Sequence, residues 1–465
     1  MDRQDFWYNP EAKDIGAPST GCKAAGYIFL SSQIGVDLET GVLTKGIEDL
    51  PKEGFDSVAT GEMNLDIPTG PIRAQTWRVY DNISKILAQQ GSSMDNIVRQ
   101  RIYLRDVVDT AGQMEEIMLR FFPGEKPATT IWGMHDRGLE DDIHIQVEVI
   151  ALAPKSGLRK ESIYLTELAS LTEPYPQAVK VGQYLLTSAL MGVDPATGKL
   201  AMRIADADPD DMTTLKTGRY YLNRSAEPEK AQMSLLFKNL KRIMTSQGAK
   251  MSDVIHMLQW QTKSMTGVQD AYPMRIQRHW PIRMEAPTPS GFIVSSVTND
   301  EQVRYSADFV AYLPGEHSVE RGIVPDRGVG DYYPLWIKAW PFWFCAGEIP
   351  GDKHTRKPYL KFSDLPDAGR FFAQGRIHPQ RVMVQAWFLY QLLKRLLTEA
   401  GLDMSKVVMQ QIYMYDVSQY PAVERVADTV YKGRIPPTSV VPVKDLTILP
   451  NKTGMIEIEL IALSE

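Results

Sequence analysis

Three stretches of this chain carry ionisable or polar side chains at alternate positions inside apolar runs: HIQVEVIALAP from His144, VRYSADFVAYLP from Val303 and MIEIELIALSE from Met455. Period-two alternation sets Ile145, Val147 and Val149 on one face of a strand and His144, Gln146 and Glu148 on the other. In the second stretch Arg304, Ser306 and Asp308 oppose Tyr305, Ala307 and Phe309, and in the third Glu457 and Glu459 oppose Ile456 and Ile458. A carboxylate on such a face can exchange a proton or orient a water. His144 could share that task with Gln146 and Glu148, although a histidine placed this way more commonly serves an interface. The 7 histidines show no H-x-x-x-H or H-E-x-x-H pairing, and Cys22 and Cys345 are too few for a Cys-rich zinc site or a disulfide framework, so no metal site is expected.

The elements that must position these groups recur. Each of three copies begins with an apolar strand closed by small polar residues, GYIFLSSQIGVDLETG, GQYLLTSALMGVDPATG or PFWFCAGEIPGD. A helix follows, IRAQTWRVYDNISKILAQQG, EKAQMSLLFKNLKRIMTSQG or RVMVQAWFLYQLLKRLLTEAG, stopped at Gly91, Gly248 or Gly401. In the second helix Met233, Leu236, Phe237, Leu240 and Met244 make one apolar face. Next come a strand, a shorter helix, a Pro-bounded strand (PATTIWGMHD, PTPSGFIVSS, PPTSVVPVKD) and the alternating strand. The repeat is roughly 155 residues, domain sized, and places boundaries at 1–158, 159–318 and 319–465. Strands and helices in this order predict an α+β fold whose helices cover one sheet face, leaving the other for solvent or a neighbouring domain. The insert KGIEDLPKEGFDSVATGEMNLDIPTGP in the first copy reads as a long loop that could cover a pocket or lie inert on the surface.

The 465 residues are 43% hydrophobic with a net charge of −6, which disfavours nucleic acid or an anionic membrane as partner and leaves small molecules or proteins. The first residues, MDRQDFWYNPEAKD, lack the basic-then-apolar order of a signal peptide, so the expected location is the cytoplasm, where the glycosylation patterns at Asn223 and Asn451 are chance matches. The most apolar stretch, WIKAWPFWFCAGEIP, is too short to span a membrane and reads as a buried strand. Its Trp336, Trp340, Phe342, Trp343 and Phe344 suit a core, or a wall for a flat ligand.

The whole succession resembles the YjgF/Rid family of reactive-intermediate deaminases: strand ending in small polars, Gln-containing helix, G-x-x-x-x-[DK]-[IV]-[IV], strand, helix, Pro-x-x-[ST] and I-x-[IV]-E. The second copy, EPYPQAVKVGQYLLTS, carries the likeness best. The resemblance implies three chorismate-mutase-like domains packed as an intrachain pseudo-trimer, with pockets at the interdomain interfaces, no cofactor, and further dimerisation left open. It also implies an arginine for the substrate carboxylate directly after the Pro-x pair, where this chain has Thr129, Pro289 and Thr438. Arg304 or Arg137 could replace it from another strand. At the place of the family's mid-chain asparagine stand Met114 or Glu115, Ala271 and Glu424. The water-side glutamate is matched by Glu457, with Gln146 and Ser306 at the other two places. The pocket tyrosine and serine are matched by Tyr175 and Ser188 in the second copy, by Tyr333 with Ala346 in the third, and by Pro18 with Ser31 in the first.

The resulting expectation is a cofactor-free hydrolase or deaminase of a small nitrogen-containing metabolite (imine, enamine or amide), with Glu457 as general base and Tyr333, Glu348 or Ser31 nearby. The competing expectation is a non-catalytic small-molecule-binding or regulatory protein of the same fold. Some relatives carry an endoribonuclease label; the acidic balance and the absence of a basic aromatic stripe count against it here.

Overall fold

The computed structural model describes residues 2–9, 11, 17–137, 139–140, 142–211, 227–262, 278–323, 333–352, 357–373, 380–446 and 453–465. The shorter helix expected in the second copy, with Ala271, lies outside these residues, as do Asn223 and Asn451.

The fold is α+β, built on three large sheets. The first runs in the order Gln4–Phe6, Gly21–Ala24, Tyr27–Leu30, Ile145–Leu152, Ile97–Leu104, Ala128–Gly133. The third repeats it with Val319–Gly322, Trp336–Ala339, Phe342–Cys345, Ile456–Leu463, Val407–Met414, Thr438–Pro442. In the second, Glu161–Ile163, Ala178–Val181, Tyr184–Thr187, Tyr305–Tyr312, Val254–Gln261 and Thr288–Ile293 follow the same order, and Asp445–Leu446 extends its far edge. In each sheet only the last pair of this shared order is parallel, a step that needs a crossover connection. Helix Val107–Met118 in the first sheet and Tyr420–Tyr431 in the third make that crossover.

One long helix lies on each sheet, Met63–Gln89, Glu227–Ser246 and Gln380–Glu399. Met233, Leu236, Phe237, Leu240 and Met244 pack on Tyr305, Ala307 and Phe309 in one core, and Leu389, Leu393 and Leu396 on Ile456 and Ile458 in another. Gly91, Gly248 and Gly401 take φ of +75°, +69° and +75° just beyond the helix ends, a conformation in which a Cβ would be strained.

A buried glutamine in each helix explains why that polar residue recurs on an otherwise apolar face. Gln75 Nε2 donates to the Thr44 and Asp142 carbonyls and its Oε1 accepts from His144 N–H. Gln232 spans Gln302 O and Arg304 N–H in the same way, and Gln385 spans Thr453 O and Met455 N–H. Each amide thereby ties helix to the start of the closing strand. Gln385→Leu leaves those backbone groups buried without partners, and we expect it to cost about 2–4 kcal/mol in denaturant melts, from two or three orphaned groups at about 1 kcal/mol or more each.

Two expectations are corrected. WIKAWPFWFCAGEIP is not one strand but a hairpin, Trp336–Ala339 and Phe342–Cys345. Its aromatics separate by strand face: Trp336 and Trp343 enter the helix-side core, Phe342 and Phe344 point the other way, and Trp340 at the turn stacks on His317. The insert in the first copy is largely helical rather than a loop. It contains helix Lys52–Val58, and the long helix begins at Met63, ahead of Pro68 and Pro71. Proline removes one N–H and clashes with the preceding turn, so the sequence reads as a break there. The exposed start tolerates it, with Met63, Leu65 and Ile67 facing outward.

The sheet faces turned away from the helices meet one another through a closed ring of bonds. Register places Glu148, Asp308 and Glu459 at corresponding positions, opposite Arg101, Leu258 and Gln411. Glu148 of the first sheet accepts from Gln411 Nε2 of the third at 2.8 Å. Asp308 of the second accepts from Arg101 of the first, Nε at 3.0 Å and Nη2 at 2.9 Å. Glu459 of the third accepts from the Ser290 hydroxyl of the second.

Candidate active site

Each pair of neighbouring sheets also meets where the small residues closing a hairpin touch the Pro-bounded strand of the next sheet. Between first and second sheets, Ser188 Oγ accepts from Thr129 N–H at 2.9 Å and donates to Pro176 O. Between third and first, Ser31 Oγ accepts from Thr438 N–H at 2.8 Å and donates to Ser19 O. The two threonine hydroxyls are also engaged: Thr129 Oγ1 donates to Pro127 O and accepts from Gln100, and Thr438 Oγ1 does the same with Pro436 O and Gln410. Both threonines are therefore held as structural staples. Tyr175 O–H donates to Glu115 at 2.5 Å, so two residues at family pocket positions bond to each other across the first interface.

The interface between second and third sheets is built differently. Ala346 has no hydroxyl to accept with, and Pro289, its opposite number, has no N–H to offer, so both halves of the staple are absent together. The neighbouring backbone bond persists there as Gly347 N–H to Pro289 O at 3.0 Å, matching Ala189 to Thr129 and Ser32 to Thr438.

Beside this interface stand the acids. Glu457 corresponds by register to Gln146 and Ser306, whose side chains donate to Ser32 Oγ and Val440 O, and to Leu190 O. Among the described residues Glu457 instead accepts a single long bond, 3.4 Å, from Gly291 N–H across the interface. It is 2% exposed, with Glu459 at 3% and Glu348 at 0%. Burial first, then the charge of Glu459 on the same strand face, push the Glu457 carboxyl up to about 8. Burial likewise raises Glu459 to about 7.

His256 supports the same protonation pattern. Its Nδ1 lies 3.1 Å from Thr288 Oγ1, and that hydroxyl donates to Ile255 O, so Nδ1 carries the hydrogen. Burial holds the ring neutral, lowering it to about 3, which leaves Nε2 as an acceptor 3.7 Å from Glu459 Oε1.

Gly347 is required by close approach. A methyl group there would collide with the Glu457 carboxyl and the Ser290 hydroxyl. Gly347→Ala should cost about 1–3 kcal/mol of stability from overpacking, read from denaturant midpoints.

Of the residues singled out from sequence, Glu457 and Glu348 come together here, and Tyr333 packs against the cores of both second and third sheets. Tyr175, Ser188 and Thr129 meet at the first–second interface, and Ser31, Thr438 and Gln146 at the third–first. His144 precedes its strand, half-buried, its backbone tied to Gln75 and Arg105 of its own sheet. Arg304 likewise enters its strand tied to Gln232, and Arg137 lies over the Tyr415 ring, so neither pairs with the central acids. The buried cations closest to the central acids are Arg99 and Arg101. Their signal was present in IVRQRIYL: two arginines spaced by two share one face of a strand otherwise apolar enough to be buried.

Among the described residues no group of three or more His, Cys, Asp or Glu side chains is placed to hold a metal ion, and no helix is long and apolar enough to cross a membrane.

Comparison with known proteins identifies the family. The family model described as Endoribonuclease L-PSP matches residues 54–153 and 328–464. A RutC family protein of Pyrococcus abyssi (strain GE5 / Orsay) is 32% identical over 151 residues, 32% of this chain and 98% of the relative. A 2-iminobutanoate/2-iminopropanoate deaminase of Dermatophagoides farinae is 22% identical over 138 residues, 30% of this chain and 87% of its own. The crystal structure of RidA from the Antarctic bacterium Psychrobacter sp. PAMC 21119 aligns with 20% identity and a TM-score of 0.24, covering 31% of this chain and 99% of that one. With just over half of its length matched by the family model, the chain belongs to the endoribonuclease L-PSP family, the YjgF/Rid family.

Proposed function

We propose that this chain is a cofactor-free hydrolase that deaminates a small nitrogen-containing metabolite at the interface of its second and third sheets. The observation that carries the reading is Glu457, a buried carboxyl that keeps its proton to about 8, at the interface that lacks the serine–threonine staple. Three chorismate-mutase-like domains forming an intrachain pseudo-trimer in the cytoplasm complete the proposal, supported by the common strand order of the sheets and the ring of bonds between them. Fusion lets the three interfaces diverge, since one substitution is no longer imposed three times.

The raised carboxyl changes the role expected from sequence. At neutral pH Glu457 begins as an acid rather than a base. It gives its proton to the imine nitrogen; water adds to the imine carbon and returns a proton to the carboxylate. The carbinolamine nitrogen takes that proton, the C–N bond breaks as ammonia leaves, and the carbinolamine oxygen returns its own proton to the carboxylate as it becomes the carbonyl, which restores the Glu457 acid. Ammonia release from small imines, generated in solution by an amino-acid oxidase and compared with their spontaneous hydrolysis, tests this; no acceleration across 2-imino acids and cyclic imines would sink it.

A second reading, a non-catalytic binding protein, is favoured by one observation: no guanidinium follows the Pro-x pair at Thr129, Pro289 or Thr438. It is distinguished by a ligand that raises the melting temperature and is never consumed.

A further inference from the structure

Where the hairpins and closing strands of all three sheets converge, they line a partly open cavity of about 30 Å³ that no catalytic step uses. Its walls are rings of corresponding residues: Tyr27, Tyr184 and Phe342, then Phe29, Leu186 and Phe344. Among its lining residues one is charged, Arg99. Register makes Arg99, His256 and Met409 equivalent, opposite Ile150, Val310 and Ile461. His256 is neutral and methionine uncharged, so the convergence holds one cation where an exact threefold repeat would hold three that repel.

That cation is incompletely matched. Arg99 is 4% exposed, and its Nη2 makes no hydrogen bond among the described residues. The nearest carboxylate oxygen, Glu148 Oε1, is 3.8 Å away and already accepts from Gln411 at 2.8 Å. A buried guanidinium N–H without a hydrogen-bond partner is costly, and a cavity of this size has room for one small ion or about two waters. We propose that the cavity binds a small monovalent anion of halide size, held by the Arg99 guanidinium and flanked by the aromatic rings.

The test uses the full chain with chloride or bromide replacing gluconate, an anion too large for the cavity, at constant ionic strength. The expected results are a saturable rise in melting temperature and, in bromide-soaked crystals, one anomalous peak within hydrogen-bonding distance of Arg99. R99M, which copies Met409, should lose the peak and weaken half-saturation by about tenfold or more, the equivalent of a charge-assisted hydrogen bond. Water alone in the cavity at high bromide, or equal half-saturation in wild type and R99M, would overturn the proposal. Should R99M fail to fold, the bromide map of the wild-type protein decides alone.

Discussion

Exchange of Glu457 for glutamine is expected to lower turnover by about 10²–10⁴-fold, the range for removing one positioned proton-transfer group. The shape is kept: glutamine fills the same volume, and Gln146 already occupies the corresponding position of the first sheet. Stability moves the other way. The folded chain holds the Glu457 proton to about 8, whereas the ordinary value is 4.5. Below 4.5 the carboxyl is protonated in both states and costs nothing. Between 4.5 and 8 the unfolded chain ionises and the folded one resists, so stability falls as pH rises through that window and the loss is complete above it. Glu457→Gln lacks this decline and should melt above wild type at pH 8. Lost activity together with a raised melting temperature separates a catalytic effect from unfolding.

The second large effect is on folding itself. Asp308→Ala is expected to cost about 3–5 kcal/mol, because it leaves the Arg101 guanidinium, 1% exposed, without its bidentate partner. Thr130 loses the same acceptor. Replacing both members together, Arg101→Met with Asp308→Leu, should restore most of the loss, since buried pairs often barely exceed well-packed apolar substitutes. Denaturant midpoints of the two singles and the double give the coupling energy directly. Additive losses would show that the pair does not join the first and second sheets.

Much of the fold is legible locally. Alternation assigns the apolar faces of Ile145, Tyr305 and Ile456, and helical spacing assigns that of Met233 and Leu236, because strand and helix periods are properties of the backbone. The helical start at Met63 is hidden by Pro68 and Pro71, whose exposed setting only tertiary structure reveals. The candidate site is less legible because its chemistry arises between segments far apart in sequence. Glu457 can be picked out by its motif position, but its retained proton depends on Glu459 and Glu348 being buried with it. The joint absence of a serine at Ala346 and an N–H at Pro289 acquires meaning only when register brings the two strands together. Arg99 and Arg101 look like surface residues until both sheet faces are known to be covered.

Infrared titration of the buried carboxyl band, wild type minus Glu457→Gln, tests most directly whether a proton waits at this interface. A protonated carboxyl present at pH 7 that disappears with a midpoint near 8 is the expected result. A Glu457 carboxyl that ionises near its ordinary 4.5 would contradict its role as the proton donor.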